Sequence, residues 1–166
     1  MKSLRTTFLV PASVAIATIV APPGTAHGQA ANGAASHAIV ALPDALDWAA
    51  APEILPAGAR MAVIEGNPGA AGEFTLRLWM PAGYELPPHY HPATEHVTVL
   101  QGTFYVGMGD LFDASQVSGL PVGTFGAIPA GMRHYALTKD EVIIQLHGTG
   151  PWSLAYVNPA DRPKAR

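Results

Sequence analysis

The sequence predicts an all-β protein, a single domain built as a closed barrel or jelly roll, and three observations carry that expectation. Hydrophobic residues make up 49% of the 166-residue chain and charged residues 13%, the balance of a body that buries a sizeable core. Gly (17) and Pro (16) punctuate it, as many short strands joined by turns require. Between the turns apolar residues recur with period two: Phe74, Leu76, Leu78 and Met80 share one face of a run whose other face carries Thr75, Arg77 and Trp79. Roughly eight to ten such strands can be drawn, with no internal repeat.

Taken in order, residues 1–28 read as a signal peptide. Lys2 and Arg5 form a positive start, and Phe8 to Val20 is an apolar run too short for a comfortable membrane span. Pro22, Pro23 and Gly24 then break it before the small residues Ala26, Gly28 and Ala30. Cleavage near Gly28 or Ala30 predicts a periplasmic or secreted protein with no membrane attachment once the signal is removed. It leaves seven basic against twelve acidic side chains, a formal charge of 7 − 12 = −5, so no basic face is expected for nucleic acid. Cysteine is absent. Disulfides, thiolate metal sites and cysteine nucleophiles are thereby excluded, and histidine and carboxylate remain as metal ligands.

Residues 29–58 are expected to be a flexible N-terminal segment or arm, 59–158 the folded domain and 159–166 a C-terminal tail. His27 leaves with the signal, and His37 is a solvated tail residue. Leu42, Leu46 and Trp48 suggest a short helical turn, or an arm lying against the barrel. Strands are expected over 61–66 and 73–80, divided by the turn formers Asn67, Pro68, Gly69 and Gly72, with Arg77 on the wet face. Pro87 and Pro88 hold the approach to His89 extended. Runs 95–100 and 103–108 read as a hairpin closed by Gln101 and Gly102. Residues 109–122 look like a connecting loop, and strands resume over 124–128, 133–138, 141–148 and 152–157.

The chemistry concentrates in 83–102. His89 and His91 are one residue apart, so both imidazoles leave the same face of an extended segment, and Glu95 follows four residues later. In a second segment Pro129 and Gly131 build a tight turn before His134, a fourth candidate ligand.

These two segments resemble the paired motifs of the cupin family. The first, GX(5)HXHX(3,4)EX(6)G, is filled by Gly83, His89, His91, Glu95 and Gly102. The second, GX(5)PXGX(2)HX(3)N, is filled by Gly123, Pro129, Gly131 and His134, with Thr138 in place of the final Asn. The resemblance spans about residues 62–157. It implies a small β-barrel or jelly roll holding one divalent metal ion through His89, His91, Glu95 and His134, and a homodimer that exchanges an N-terminal arm, for which the Trp48 region is suited. Three imidazoles and a carboxylate suit borderline ions such as Mn, Fe, Co, Ni, Cu or Zn, and an octahedral ion would keep two places for water or a small-molecule substrate.

Around that centre, His96 should face away from the metal because it directly follows Glu95, and Tyr90 should also face away. Gln145 and His147 are candidate pocket groups supporting the site if their face of the late strand lines the barrel; they are exposed if the face of Val142, Ile144 and Leu146 does. Tyr84, Phe104, Phe125 and Tyr135 are core or rim aromatics, with Phe104 and Tyr135 candidate pocket residues. Met132 and Arg133 would shape the mouth. No Ser-His-Asp triad is indicated, and the glycines at 107 and 109 lack the lysine of a phosphate loop. The expected function is metal-dependent chemistry on a small organic molecule, of oxygenase type first, with Glu95 as proton acceptor if it detaches. Lyase or isomerase chemistry, or non-catalytic capture of a sugar or other small molecule by an exported protein, are the alternatives. A zinc-sensing regulatory role fits less well with export.

Overall fold

In the computed structural model the described residues are 38–164; the expected signal peptide and residues 29–37, His37 among them, lie outside them. Period-two alternation decides the architecture, because each strand has one apolar face to bury and can do so only against a second sheet. Eleven strands result among the described residues: β1 (Ala49–Ala50), β2 (Arg60–Glu65), β3 (Gly72–Met80), β4 (Glu85–Tyr90), β5 (Glu95–Gln101), β6 (Phe104–Met108), β7 (Ser118–Leu120), β8 (Phe125–Ile128), β9 (His134–Thr138), β10 (Val142–Gly150) and β11 (Ala155–Tyr156). They form two antiparallel sheets, ordered β1-β2-β3-β10-β5-β8 and β11-β4-β9-β6-β7. This is the expected all-β jelly roll in one domain.

The centre of the first sheet is the nine-residue pairing of β3 with β10, in which Leu76 faces Leu146, Leu78 faces Ile144 and Met80 faces Val142. All six are buried. Their face lines the interior, so the opposite face, carrying Arg77, Gln145 and His147, is turned outward, where the Arg77 Nε–H donates to Gln145 Oε1 at 3.1 Å. Gln145 and His147 therefore do not line the interior cavity, although His147 borders a small space on the far side of His91 and Glu95. The aliphatic row excludes them because a neutral amide or imidazole on the inner face would need a buried partner that leucine and isoleucine do not.

Three further expectations need correction. β5 and β6 do not form a hairpin: β5 pairs with β10 and β8, and β6 pairs with β9 and β7 in the other sheet. The Gly102 turn is a corner between sheets, taken with φ +73°. The 109–122 loop contains β7, a short edge strand. And the folded body starts well before residue 59: Leu55 is buried at 3% exposure, and Ala49 and Ala50 pair with Met61 and Arg60. The stretch before it combines both forms expected there, a 3-10 turn at Pro43–Ala45 and a short strand lying against β2.

Two buried phenols hold this early segment in place. Tyr84 donates to the Pro56 carbonyl at 2.9 Å and Tyr156 to the Ile54 carbonyl at 2.7 Å, which seats Leu55 between them. Burial, reinforced by Tyr156, pushes the Tyr84 hydroxyl far above its ordinary range; burial, followed by the charge of Asp161, pushes Tyr156 up to about 12. Both hydroxyls are thus permanent donors at neutral pH. At the other end of the chain a second 3-10 turn, Pro159–Asp161, is capped by Asn158, whose Oδ1 accepts from the Ala160 N–H at 3.1 Å.

Candidate metal centre

The ligand candidates converge because the ends of β4, β5 and β9 meet at one end of the barrel. His89 sits on β4, directly paired with His134 on β9, while Glu95 opens β5 and His91 lies in the turn between β4 and β5. The two motifs are laced together by backbone bonds. The Gly131 N–H donates to the His91 carbonyl at 2.9 Å, and Thr138 takes the place of the motif's Asn by accepting the Tyr84 N–H on its Oγ1 at 3.0 Å. Thr138 also ties Gly83 and Tyr84 to the end of β9 through its own backbone, so the departure from the motif leaves the brace intact.

Inside that frame one ring nitrogen of each of His89, His91 and His134 lies within 4.8 Å of the others, and all three residues are buried. Their outer nitrogens fix the tautomers. Nδ1 of His89 lies 2.8 Å from the Pro87 carbonyl, Nδ1 of His91 2.8 Å from the Ser153 carbonyl and Nδ1 of His134 3.0 Å from the Met132 carbonyl. A carbonyl only accepts, so each Nδ1 carries the proton and each Nε2 presents its lone pair inward. Glu95 completes the set, with Oε1 3.5 Å from Nε2 of His91 and Oε2 3.5 Å from Nε2 of His134.

The result is a buried ring of acceptors. Nε2 of His91 has no hydrogen-bond partner. Burial, aided by the charge of His134, lowers His89 to about 3, so this ring stays neutral at physiological pH. Burial also pushes the Glu95 carboxyl up, but His134 first, then His91 and His89, any of which would pair with the carboxylate on taking a proton, outweigh it and hold the group below its ordinary range. Three imidazole lone pairs and an ionised carboxylate facing one space repel one another unless a cation lies between them. The donor set therefore fits a divalent metal ion of borderline softness, and fixed outer-nitrogen hydrogen bonds are the supporting arrangement such ligands need.

The walls around the centre are apolar: Leu55, Leu78, Met80, Val97, Ile144 and Leu146 line the cavity together with Tyr84 and Trp152. Phe104 belongs to that lining, as expected. Tyr135 lines instead the neighbouring groove under the 109–117 loop, with its hydroxyl donating to the Asp113 carbonyl at 3.1 Å and its ring 5.2 Å from Phe112. His96 stacks face to face on His147, centroids 4.8 Å apart, away from the cavity, and Phe125 stacks on both. Met132 is half exposed and contributes its carbonyl to His134, and Arg133 pairs with Asp110 at the surface. Sequence reasoning missed Trp152, whose ring stacks on His91 at 5.8 Å and whose buried Nε1–H has no partner. It also missed Leu55. Neither carries a spacing signal, since both reach the cavity from the ends of the fold.

A jelly roll with a buried three-histidine set able to hold a metal defines the class as cupin. The comparisons agree: the ChrR cupin-like domain family matches residues 36–153, and the chain belongs to that family. Among solved structures, the polyketide cyclase RemF from Streptomyces resistomycificus superposes with a TM-score of 0.64 at 15% identity, covering 76% of this chain and 90% of that one. A candidate acetylacetone dioxygenase from Methylibium petroleiphilum PM1 gives 0.57 at 20% identity, over 78% and 88%. The DMSP lyase DddQ from Ruegeria pomeroyi DSS-3 gives 0.54 at 20% identity, over 70% and 63%. At these identities the likeness is one of fold. No curated protein matches the chain.

Proposed function

We propose that this protein is a metal-dependent cupin acting on a small organic molecule, with oxygenase-type chemistry as the best-supported reading. The observation that carries it is the convergence of three Nε2 lone pairs and the Glu95 carboxylate at the base of an apolar cavity. One divalent ion per chain, drawn from Mn, Fe, Co, Ni, Cu and Zn, would be held by His89, His91, His134 and Glu95. Such an ion supplies Lewis-acid polarisation of a substrate oxygen and, where redox-active, the electrons for dioxygen chemistry. The chain's own part is to hold the imidazoles in one tautomer and to exclude water with aliphatic walls. Among the described residues lining the cavity Glu95 is the one carboxylate, so it is the group that would take a proton from an enol or phenol. Tyr84 and Tyr156 do not compete for that role, since both hydroxyls are committed as donors to backbone carbonyls.

Oxygen consumption by the metal-loaded protein, screened against phenols, enols and diketones, tests the reading. Uptake that disappears in His134→Ala is expected. Turnover of the same compounds without oxygen would move the assignment to a lyase or isomerase. A second reading, a metal that stabilises the fold without turnover, is favoured by the tightness of the cavity, which leaves about 30 Å³ open to the centre of a water molecule. We also propose export to the periplasm or medium, tested by the N-terminal residue of the mature protein, and a homodimer, tested by light scattering.

A further inference from the structure

The space beside the metal ligands, about 30 Å³, takes a few waters and no organic molecule of ordinary size. Next to it lies a groove of about 740 Å³ on the same measure. Val97, Phe104 and Ile128 line both, so these three side chains form the partition between them. The groove opens between β7 and β8, the edge strands of opposite sheets. Strand register brings it to the ligand end of the barrel: Ile128 pairs with Glu95 in one sheet, and Met108 pairs with His134 in the other.

The chemistry of its walls narrows what it can hold. Asp110 is neutralised by Arg133, and Asp113 accepts from the Ser115 N–H at 2.8 Å and the Ser115 hydroxyl at 2.6 Å. No unpaired cation is left in the lining to hold an anionic ligand, and the Asp113 carboxylate, its Oδ1 taken by Ser115, adds a negative charge that repels one. What remains is Val106, Met108, Leu111 and Leu120, with Ser118 and Gln116 as neutral polar groups. Leu111 and Met108 are 82% and 58% exposed, an apolar lip with nothing seated on it among the described residues.

Resting on the reading that a small molecule is ligated at the metal centre, we propose that this groove holds the body of that molecule, a neutral phenol or enol of one or more rings. Its oxygen reaches the centre past Phe104. A flat ring suits a slot between two sheets packed about 10 Å apart. Phe104, at 6% exposure, must swing aside for the oxygen to pass, which makes it the side chain that sets the width of access.

Gly126 provides the test. It lines the groove, and a Cβ built on it meets nothing within 4 Å, so Gly126→Trp places an indole in the groove without backbone conflict. Ser118→Trp blocks it from the opposite sheet, and either variant alone decides the matter if the other fails to fold. Cobalt-loaded full-length protein is titrated, at a mildly acid pH that keeps 4-nitrocatechol neutral, with azide, which fits the small cavity, and with 4-nitrocatechol, which does not; visible absorption reports both. The expected result is an unchanged azide response and at least about a tenfold loss of 4-nitrocatechol affinity in each folded variant. Equal 4-nitrocatechol affinity in wild type and variants overturns the groove while leaving the metal centre standing. A wild-type protein that answers azide but not 4-nitrocatechol overturns the assigned substrate class. A wild-type protein that answers neither overturns the open metal centre and the groove with it.

Discussion

At the scale of single residues, the centre depends on where protons sit, and three backbone carbonyls fix them. His89 shows the consequence for stability. Its folded value of about 3 lies below the ordinary 6.5 because burial, and then the charge of His134, disfavour the imidazolium. Between those two values the unfolded chain binds a proton that the folded chain refuses, so stability is complete above about pH 6.5 and declines as pH falls toward 3. Glu95, held below its ordinary range, adds loss in the same direction at the acid end. Metal-free protein should lose roughly 4 to 5 kcal/mol across that interval, read by urea denaturation at stepped pH; a flat profile would contradict the buried neutral ring. The two tyrosines make a second prediction. Tyr84→Phe and Tyr156→Phe each leave a carbonyl of the 54–56 segment without its donor and should each cost about 1 kcal/mol. Hydrogen exchange should quicken at Leu55 in both variants, because the bonded segment is what closes that side of the cavity.

At the scale of elements, the corners between sheets place the ligands, and the glycines at those corners are not equivalent. Gly102 has φ +73°, and a Cβ there would lie 2.4 Å from the Glu141 carbonyl oxygen. Gly83 has φ +72°, but a Cβ there meets open space. Gly83→Ala should therefore cost about 1 kcal/mol from conformation alone, and Gly102→Ala about 2 to 4 kcal/mol, by chemical denaturation. Equal costs would show that the corner can relax. The same corner shows what a sequence reader can and cannot see. His89, His91, Glu95 and His134 were legible because each lies at a fixed offset from a turn glycine or proline. The partners of β5 and β6 were not: two alternating runs either side of Gly102 look alike whether they pair with each other or join different sheets, and pairing is decided by the remote strands β9 and β10. The inward face of β10 was ambiguous for a related reason. Ile143 interrupts the polar face of Glu141, Gln145 and His147, and register against β3 turns Val142, Ile144 and Leu146 inward and leaves Gln145 and His147 outside. Tyr135 lines the neighbouring groove and not the metal cavity because it follows a ligand directly. That neighbour relation in a strand sends it to the opposite face.

At the scale of the whole molecule, the jelly roll brings the ends of β4, β5 and β9 to one place and lines that place with side chains from both sheets. Its interior is otherwise largely apolar, so among the described residues the four acceptors at the end of the barrel have no polar partner outside their own set except the carbonyls that orient them. This gives the fold a need for a cation as well as a place for one, and it predicts that metal binding and thermal stability rise together. The most direct measurement is elemental mass spectrometry on protein purified without chelator or affinity metal, beside a His89→Ala, His91→Ala double variant that circular dichroism shows to be folded. About one transition-metal ion per chain in the wild type, lost in the variant, is the predicted result. Metal-free wild type that takes up none of Mn, Fe, Co, Ni, Cu or Zn on reconstitution, or a variant that binds as much as the wild type, would contradict it.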